Sequence, residues 1–126
     1  MYDPFVQSIK GLTVERAVWP NQLHEADFIV LTCALTKENF HMINRNIFDL
    51  VKKGVRLINV ARGPLIDESA LVESLSSGLV GAVALDVFEH EPLHHTSQLL
   101  KFEQCIFGAH NASNTIEAVL RTSYRS

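Results

Sequence analysis

The segment VRLINVARGPLIDESALVESLSSG, residues 55–78, contains a complete change from strand to helix and decides the fold class. Residues 55–61 form an apolar run, which is typical of a strand buried within a sheet. Gly63 and Pro64 then predict a turn. Residues 67–78 begin with acidic and hydroxyl side chains, continue with apolar residues at helical spacing and end in a glycine, so they predict a helix.

The same alternation of strands and helices continues on both sides of this segment. Further strands are predicted at residues 11–18, 27–34, 80–88 and 105–110, and further helices at 20–26, at 44–54 and from about 113–115 onwards. Strand–helix–strand units with short turns form parallel sheets with right-handed crossovers. We therefore expect an α/β fold with a Rossmann-like, doubly wound parallel sheet.

The composition is that of one globular domain and excludes several classes of protein. The chain has 126 residues, 47% of them hydrophobic, and a net charge of −3 at pH 7. It has no basic run that would suit nucleic acid, and no stretch approaches a membrane span. The two cysteines fit no metal spacing and are typical of a cytoplasmic protein. His90, His94 and His95 are interpreted as part of a solvated loop, so we expect no metal site.

Polar residues fall where the predicted parallel strands end: Thr32, Arg62, Asp86 and His110. In sheets of this kind, ligands bind outside the carboxyl ends of the strands, so four polar residues on one edge indicate a site. Arg62 has two interpretations. It is either a side chain that reaches from the sheet edge into water or a receptor placed to bind an anion.

Glu91 and His110 add acid–base chemistry to this edge. A carboxylate that bonds the far ring nitrogen of His110 would orient the imidazole and favour its protonated form. Arg62 could then hold a substrate carboxylate through two parallel hydrogen bonds. These residue types suit a site for 2-oxo and 2-hydroxy acids in which a cofactor takes the hydride, although ion pairs at sheet edges are often structural.

Three motifs in order carry a resemblance to a known family: NVARGPLIDESALVESLSSG at residues 59–78, GAVALDVFEHEPL at 81–93 and GAHNASNT at 108–115. Together they resemble the NAD-binding domain of the D-isomer-specific 2-hydroxyacid dehydrogenases, and most closely the D-3-phosphoglycerate dehydrogenase-like members. The resemblance covers nearly the whole chain. It implies an oxidoreductase that transfers a hydride between NAD and a 2-hydroxy or 2-oxo acid such as 3-phosphoglycerate.

The resemblance also implies the roles of individual residues. Arg62 corresponds to the catalytic arginine of the family, His110 to its catalytic histidine and Glu91 to the glutamate that orients the histidine. The family often has proline where this chain has Ala34, and usually has proline before the histidine, where this chain has Ala109. These departures concern the rigidity of two loops more than the chemistry.

The residues that correspond to the family's cofactor site are spread along the chain. Asp86 matches the aspartate that meets the nicotinamide amide, and Thr32 and the backbone of Val60 and Ala61 match positions that line the nicotinamide pocket. Asp3 matches the acidic residue that binds the hydroxyls of the adenosine ribose. An acid at that position would repel a 2′-phosphate and so favours NAD over NADP.

A glycine-rich phosphate loop would precede the ribose aspartate by about 20 residues, and only Met1 and Tyr2 precede Asp3. We therefore expect residues 1–126 to be a partial NAD-binding domain that lacks the first strand and the glycine-rich loop. Within it, residues 27–125 should form the main α/β unit and residues 1–26 should be loosely attached. The chain alone should not turn over substrate, whereas the intact protein should be a homodimer in the cytoplasm.

An alternative from another class remains open at this point. Some relatives of the fold act as nucleotide-sensing partners, so the chain could belong to a non-catalytic nucleotide-binding or scaffold module. The retention of Arg62, Glu91 and His110 favours the enzyme, because a scaffold has no physical need for all three side chains.

Overall fold

A computed structural model describes residues 1–6 and 8–123, and within them it contains a four-stranded sheet. The strands are β1 (Phe28–Leu31), β2 (Val55–Asn59), β3 (Val80–Leu85) and β4 (Cys105–Phe107), and they lie side by side in that order. Each neighbouring pair is parallel. The predicted Rossmann-like parallel α/β fold is therefore confirmed.

The helices of the described residues are α1 (Arg45–Phe48), α2 (Glu68–Ser76) and α3 (Ile116–Ser123). Asn44 caps the start of α1, and Asp67 caps the start of α2 by accepting hydrogen bonds from backbone N–H groups. Such caps satisfy N–H groups that have no partner within the helix. The α2 helix is the element that the segment at residues 67–78 predicts.

One face of the sheet is packed into the core and the other is open. Residues at the same register share a face, so Ile29, Leu57 and Val83 lie side by side, and none of them is more than 9% exposed. The neighbouring residues point the other way. On that side Phe28 is 56% exposed and Ile106 is 71% exposed.

The strand predicted at residues 11–18 does not form. This segment is mostly exposed and forms no ladder with the sheet: the N–H group of Ala17 donates instead to the carbonyl of Met1, at 2.8 Å. An isolated strand leaves its backbone groups without partners, so an apolar pattern alone does not make one.

The helix predicted at residues 44–54 is much shorter in the structure, because α1 ends at Phe48. Beyond it the N–H groups of Leu50 and Val51 donate to carbonyls only three residues back, at 3.0 and 3.3 Å. The chain thus tightens into turns. These turns end at Gly54, which has a φ of 82°, directly before β2.

The helices predicted near the two ends of the chain are both present in some form. The short helix predicted at residues 20–26 is a single turn of 3₁₀ helix at Leu23–Glu25. The last helix begins at Ile116, close to the predicted start, and Tyr124 and Arg125 of the expected main unit lie outside the described residues. Among the described residues, no helix is long and apolar enough to cross a lipid bilayer.

Candidate active site

The four polar residues predicted to share an edge follow the carboxyl ends of the four strands. Thr32 and Asp86 come directly after β1 and β3, and Arg62 and His110 come shortly after β2 and β4. Since the strands are parallel, these positions lie at one edge of the sheet. Arg62 and Thr32 are exposed, so this edge is open to a ligand.

Glu91 and His110 form a hydrogen-bonded pair at this edge. Nδ1 of His110 lies 2.8 Å from Oε2 of Glu91, and the N–H group of Phe88 donates to Oε1 of the same carboxylate at 3.0 Å. The bond from His110 and the bond from Phe88 hold the pKa of the Glu91 carboxyl below its usual value. The carboxylate is therefore ionised and fixed, and it orients the imidazole.

Asp86 is bound to the chain around His110. Its carbonyl accepts from the N–H group of His110 at 2.8 Å, and its carboxylate oxygens accept from Asn111 at 3.1 Å and from Ala112 at 2.8 Å. His110 itself has a φ of 55°, in the left-handed region that side chains other than glycine rarely adopt.

The side chain of Arg62 is held at the strand tip by the backbone of the preceding residue. The Nη1 group of Arg62 donates to the carbonyl of Ala61 at 2.6 Å. The side chain of Asn59, which is fully buried, donates to the carbonyl of Arg62 at 2.9 Å and accepts from the N–H group of Ala61 at 3.0 Å. Asn59 therefore fixes the turn from which Arg62 projects.

Asn59 belongs to none of the predicted site positions, although its residue type and place in the strand are a signal. A polar amide at the end of an apolar strand must find partners when it is buried, and the backbone of the next turn is the nearest source. The sequence shows this polar residue directly before Val60. The strand pattern alone would have justified a positioning role for it.

The turn that carries Arg62 lies directly against the loop that carries Glu91. A Cβ atom on Gly63 would overlap the carbonyl group of Phe88, so only glycine fits at this contact. The loops after β2 and β3 are thereby held together. This contact places the loops that carry Arg62 and Glu91 side by side. The hydrogen bond between Glu91 and His110 joins His110 to the same two loops.

Two further glutamates join the same loops. The N–H group of Glu89 donates to Oε1 of Glu68 at 2.7 Å, and the N–H group of Glu68 donates to Oε2 of Glu89 at 3.2 Å. Glu89 also lies 2.6 Å from Nε2 of His41. Burial, followed by the charge of Glu89, raises the pKa of the Glu68 carboxyl, although the bond from Glu89 opposes this. Nothing in the spacing of these residues indicates the contact, because it joins the loop after β3 to the start of α2 and to the loop that carries His41.

The residues assigned to the cofactor lie in two places. Thr32, Val60 and Ala61 are at the strand tips, where Val60 is 44% exposed and offers an apolar surface to a flat ring. Asp3 lies in the N-terminal segment, and its Oδ1 accepts from the N–H groups of Phe5 and Val6, both at 2.8 Å. These bonds, first that from Val6, lower the pKa of Asp3 and keep it ionised.

These groups fit parts of NAD. The surface at the strand tips suits the nicotinamide, and an ionised carboxylate such as Asp3 suits ribose hydroxyls. The sequence contains no G-x-G-x-x-G loop, so this chain does not itself offer that cradle to the pyrophosphate. The residues present therefore fit the nicotinamide and the adenosine ribose.

Comparison with known families gives one extended match. The family model described as D-isomer specific 2-hydroxyacid dehydrogenase, NAD binding domain, matches residues 1–112. The match includes every residue of the edge described above.

Relatives and solved structures agree with this match. A glyoxylate reductase of Thermofilum pendens is 45% identical over 96 residues, which are 76% of this chain and 28% of that protein. The chloroplastic D-3-phosphoglycerate dehydrogenase 2 of Arabidopsis thaliana is 40% identical over 119 residues, 93% of this chain and 19% of that protein. The apo-structure of D-lactate dehydrogenase from Escherichia coli superposes with a TM-score of 0.84 at 36% identity and covers 97% of this chain and 38% of that one. The chain thus spans less than two fifths of the length of these proteins.

Proposed function

We propose a reaction on the premise that this chain belongs to the D-isomer-specific 2-hydroxyacid dehydrogenases, as part of their NAD-binding domain. The intact protein is an oxidoreductase that interconverts a small 2-hydroxy acid and the corresponding 2-oxo acid. The observation that carries the proposal is the 2.8 Å contact between Nδ1 of His110 and Oε2 of Glu91. A carboxylate bound to one ring nitrogen prepares the other for proton exchange.

His110 is the residue that moves the proton. Because Nδ1 faces Glu91, Nε2 is the nitrogen that exchanges a proton with the oxygen on C2 of the substrate. In the direction of reduction Nε2 donates, and in the direction of oxidation it accepts. Glu91 stabilises the imidazolium and is held in place by the N–H group of Phe88.

Arg62 binds the substrate carboxylate. Its guanidinium carries five N–H donors, and the bond to the carbonyl of Ala61 leaves donors for a carboxylate and for the C2 oxygen. Polarisation by Arg62 and proton donation by His110 both stabilise the negative charge that develops on the C2 oxygen as C2 is reduced.

NAD supplies or accepts the hydride when it is bound. Thr32, the backbone of Val60 and Ala61, and Asp86 would hold the nicotinamide, and Asp3 would bind the adenosine ribose. The ionised carboxylate of Asp3 favours NAD over NADP, because it repels a 2′-phosphate.

The substrate, the assembly and the location are further parts of the proposal. Glyoxylate and 3-phosphoglycerate are the first candidate substrates, since relatives are named for activity on them. The intact protein is a homodimer in the cytoplasm. The cytoplasmic location is supported by Cys33 and Cys105, which are both free thiols.

The test uses the intact native protein that contains this sequence, with NADH oxidation measured against glyoxylate and 3-phosphohydroxypyruvate. His110→Ala should reduce kcat by roughly 10²–10⁴-fold, as expected for the loss of a general acid. His95→Ala is the matched control, because His95 is exposed in the neighbouring loop, and it should keep its turnover. If neither substrate is reduced by the unaltered protein and the His110 variant still binds the same partners, the scaffold alternative replaces the enzyme.

A further inference from the structure

We infer that Asp86 is a positioning residue for His110, because one residue binds three consecutive N–H groups at the end of β4. Its carbonyl accepts from His110, Oδ1 accepts from Asn111 and Oδ2 accepts from Ala112, at 2.8, 3.1 and 2.8 Å. Consecutive backbone N–H groups that surround an anion form a stable concave site. Here the anion is the Asp86 carboxylate, which meets the consecutive N–H groups of Asn111 and Ala112, while the N–H group of His110 meets the backbone carbonyl of Asp86.

The conformation of His110 requires such a support. A φ of 55° is unfavourable for a residue with a side chain, and it persists only where the surroundings impose it. The bonds to Asp86 begin at His110 itself and hold the two residues that follow. They therefore determine the direction in which the imidazole leaves the backbone.

Gly108 shows how closely Asp86 approaches this segment. A Cβ atom at position 108 would overlap Oδ1 of Asp86, so the chain before His110 passes directly over the carboxylate. The N–H group of Gly108 also donates to the carbonyl of Leu85, at 2.8 Å. Asp86 is thus enclosed by residues on both sides of His110.

This role is separate from a contact with the nicotinamide. If the only role of the Asp86 carboxylate were to contact the cofactor, its replacement would leave His110 unchanged when no cofactor is bound. The part that positioning plays in catalysis rests on the proposed function, whereas the position of His110 does not. The test therefore uses the intact native protein that contains this sequence, without cofactor or substrate.

The readout is the pKa of Glu91, measured by carbon NMR of its carboxyl group, because two effects of Asp86 act on it with opposite signs. The bond from His110 is the largest cause that lowers this pKa, while the charge of Asp86 raises it. Loss of positioning would therefore raise the pKa of Glu91, and loss of charge alone would lower it.

The variants are Asp86→Asn, which places an N–H donor against the backbone donors, and Asp86→Glu, which keeps the charge but moves the carboxylate. Both should raise the pKa of Glu91 towards its ordinary value of 4.5. Asp49→Asn, which removes an exposed carboxylate elsewhere, should leave it unchanged. A lower pKa of Glu91 in Asp86→Asn, or no change in either variant at position 86, would overturn the inference.

A second measurement does not depend on the folding of a variant. In the unaltered chain, NMR couplings across hydrogen bonds should connect the amide nitrogens of Asn111 and Ala112 to the carboxyl carbon of Asp86. Their absence would also overturn the inference. If the couplings and the pKa shifts are found but the intact protein lacks dehydrogenase activity, the positioning stands and the proposed reaction does not.

Discussion

Glu68 is a partly buried carboxylate whose ionisation opposes folding. Its pKa is raised above the ordinary 4.5 by burial and by the nearby charge of Glu89. The folded chain therefore keeps a proton that the unfolded chain releases, and stability is lost as the pH rises from 4.5 through the raised pKa.

Glu68→Gln should therefore stabilise the chain at pH 7. Glutamine cannot ionise, and its Oε1 can still accept the hydrogen bond from the N–H group of Glu89. The gain should disappear at about pH 4, where the carboxyl is protonated in both states. Urea unfolding at both pH values measures it, with Glu103→Gln at an exposed loop position as the control. Equal stability of the Glu68 variant and the unaltered chain at pH 7 would contradict the expectation.

Gly63 is the residue on which the contact between the loops after β2 and β3 depends. Gly63→Ala places a methyl group against the carbonyl of Phe88, so it should destabilise the chain by about 1–3 kcal/mol. Gly78→Ala is the comparison, because Gly78 has a φ of 70° but open space around it. That variant should cost about 1 kcal/mol from backbone conformation alone. Urea unfolding of both variants distinguishes steric overlap from backbone strain. A smaller loss of stability in Gly63→Ala than in Gly78→Ala would contradict the assignment.

The sequence singles out the candidate site residues, whose catalytic chemistry stays part of the proposal. Arg62, Glu91 and His110 were singled out from residue type and place in the strand pattern, and the structure brings Glu91 and His110 into contact. The contact of Glu89 could not be obtained in the same way. Its partner, the N–H group of Glu68, lies 21 residues away along the chain, and only tertiary packing brings the two together.

At the scale of elements, we propose that residues 1–26 are loosely attached to the main unit. The segment is mostly exposed, with Leu23 as a buried anchor at 9% exposure. Amide hydrogen exchange followed by mass spectrometry should show fast exchange before Leu23 and slow exchange in β2 and β3, whose ladders are central in the sheet. Equal protection in both regions would show that the N-terminal segment is an integral part of the fold.

Strands and helices were predictable where they are buried and regular. The apolar runs of β1, β2 and β3 form adjacent parallel strands, but their burial alternates, because Phe28 and Val30 of β1 lie on the open face. The failures at residues 11–18 and 44–54 have different causes. The first segment has no neighbouring strand with which to pair, and the second must turn into β2 after Phe48. Neither constraint is contained in the local propensity of the residues.

At the scale of the whole molecule, the open face of the sheet is the main feature. Phe28, Val30 and Ile106 are each more than half exposed on that face. The chain also spans only 28% of a glyoxylate reductase that it resembles. We therefore expect the 126-residue chain alone not to oxidise NADH with glyoxylate or 3-phosphohydroxypyruvate. Measurable oxidation in a spectrophotometric assay, absent from an identically prepared His110→Ala chain, would contradict this.

By itself, the sequence determined the parallel α/β fold, the family and the edge at which the polar residues lie. These follow from apolar periodicity, turn residues and motif order, which are local properties of the chain. Only the tertiary structure decided that Glu91 faces Nδ1 of His110 and that Asp86 binds the three N–H groups beginning at His110. Such contacts join residues 19 to 26 positions apart. Their geometry depends on how the loops pack on one another rather than on spacing in the sequence.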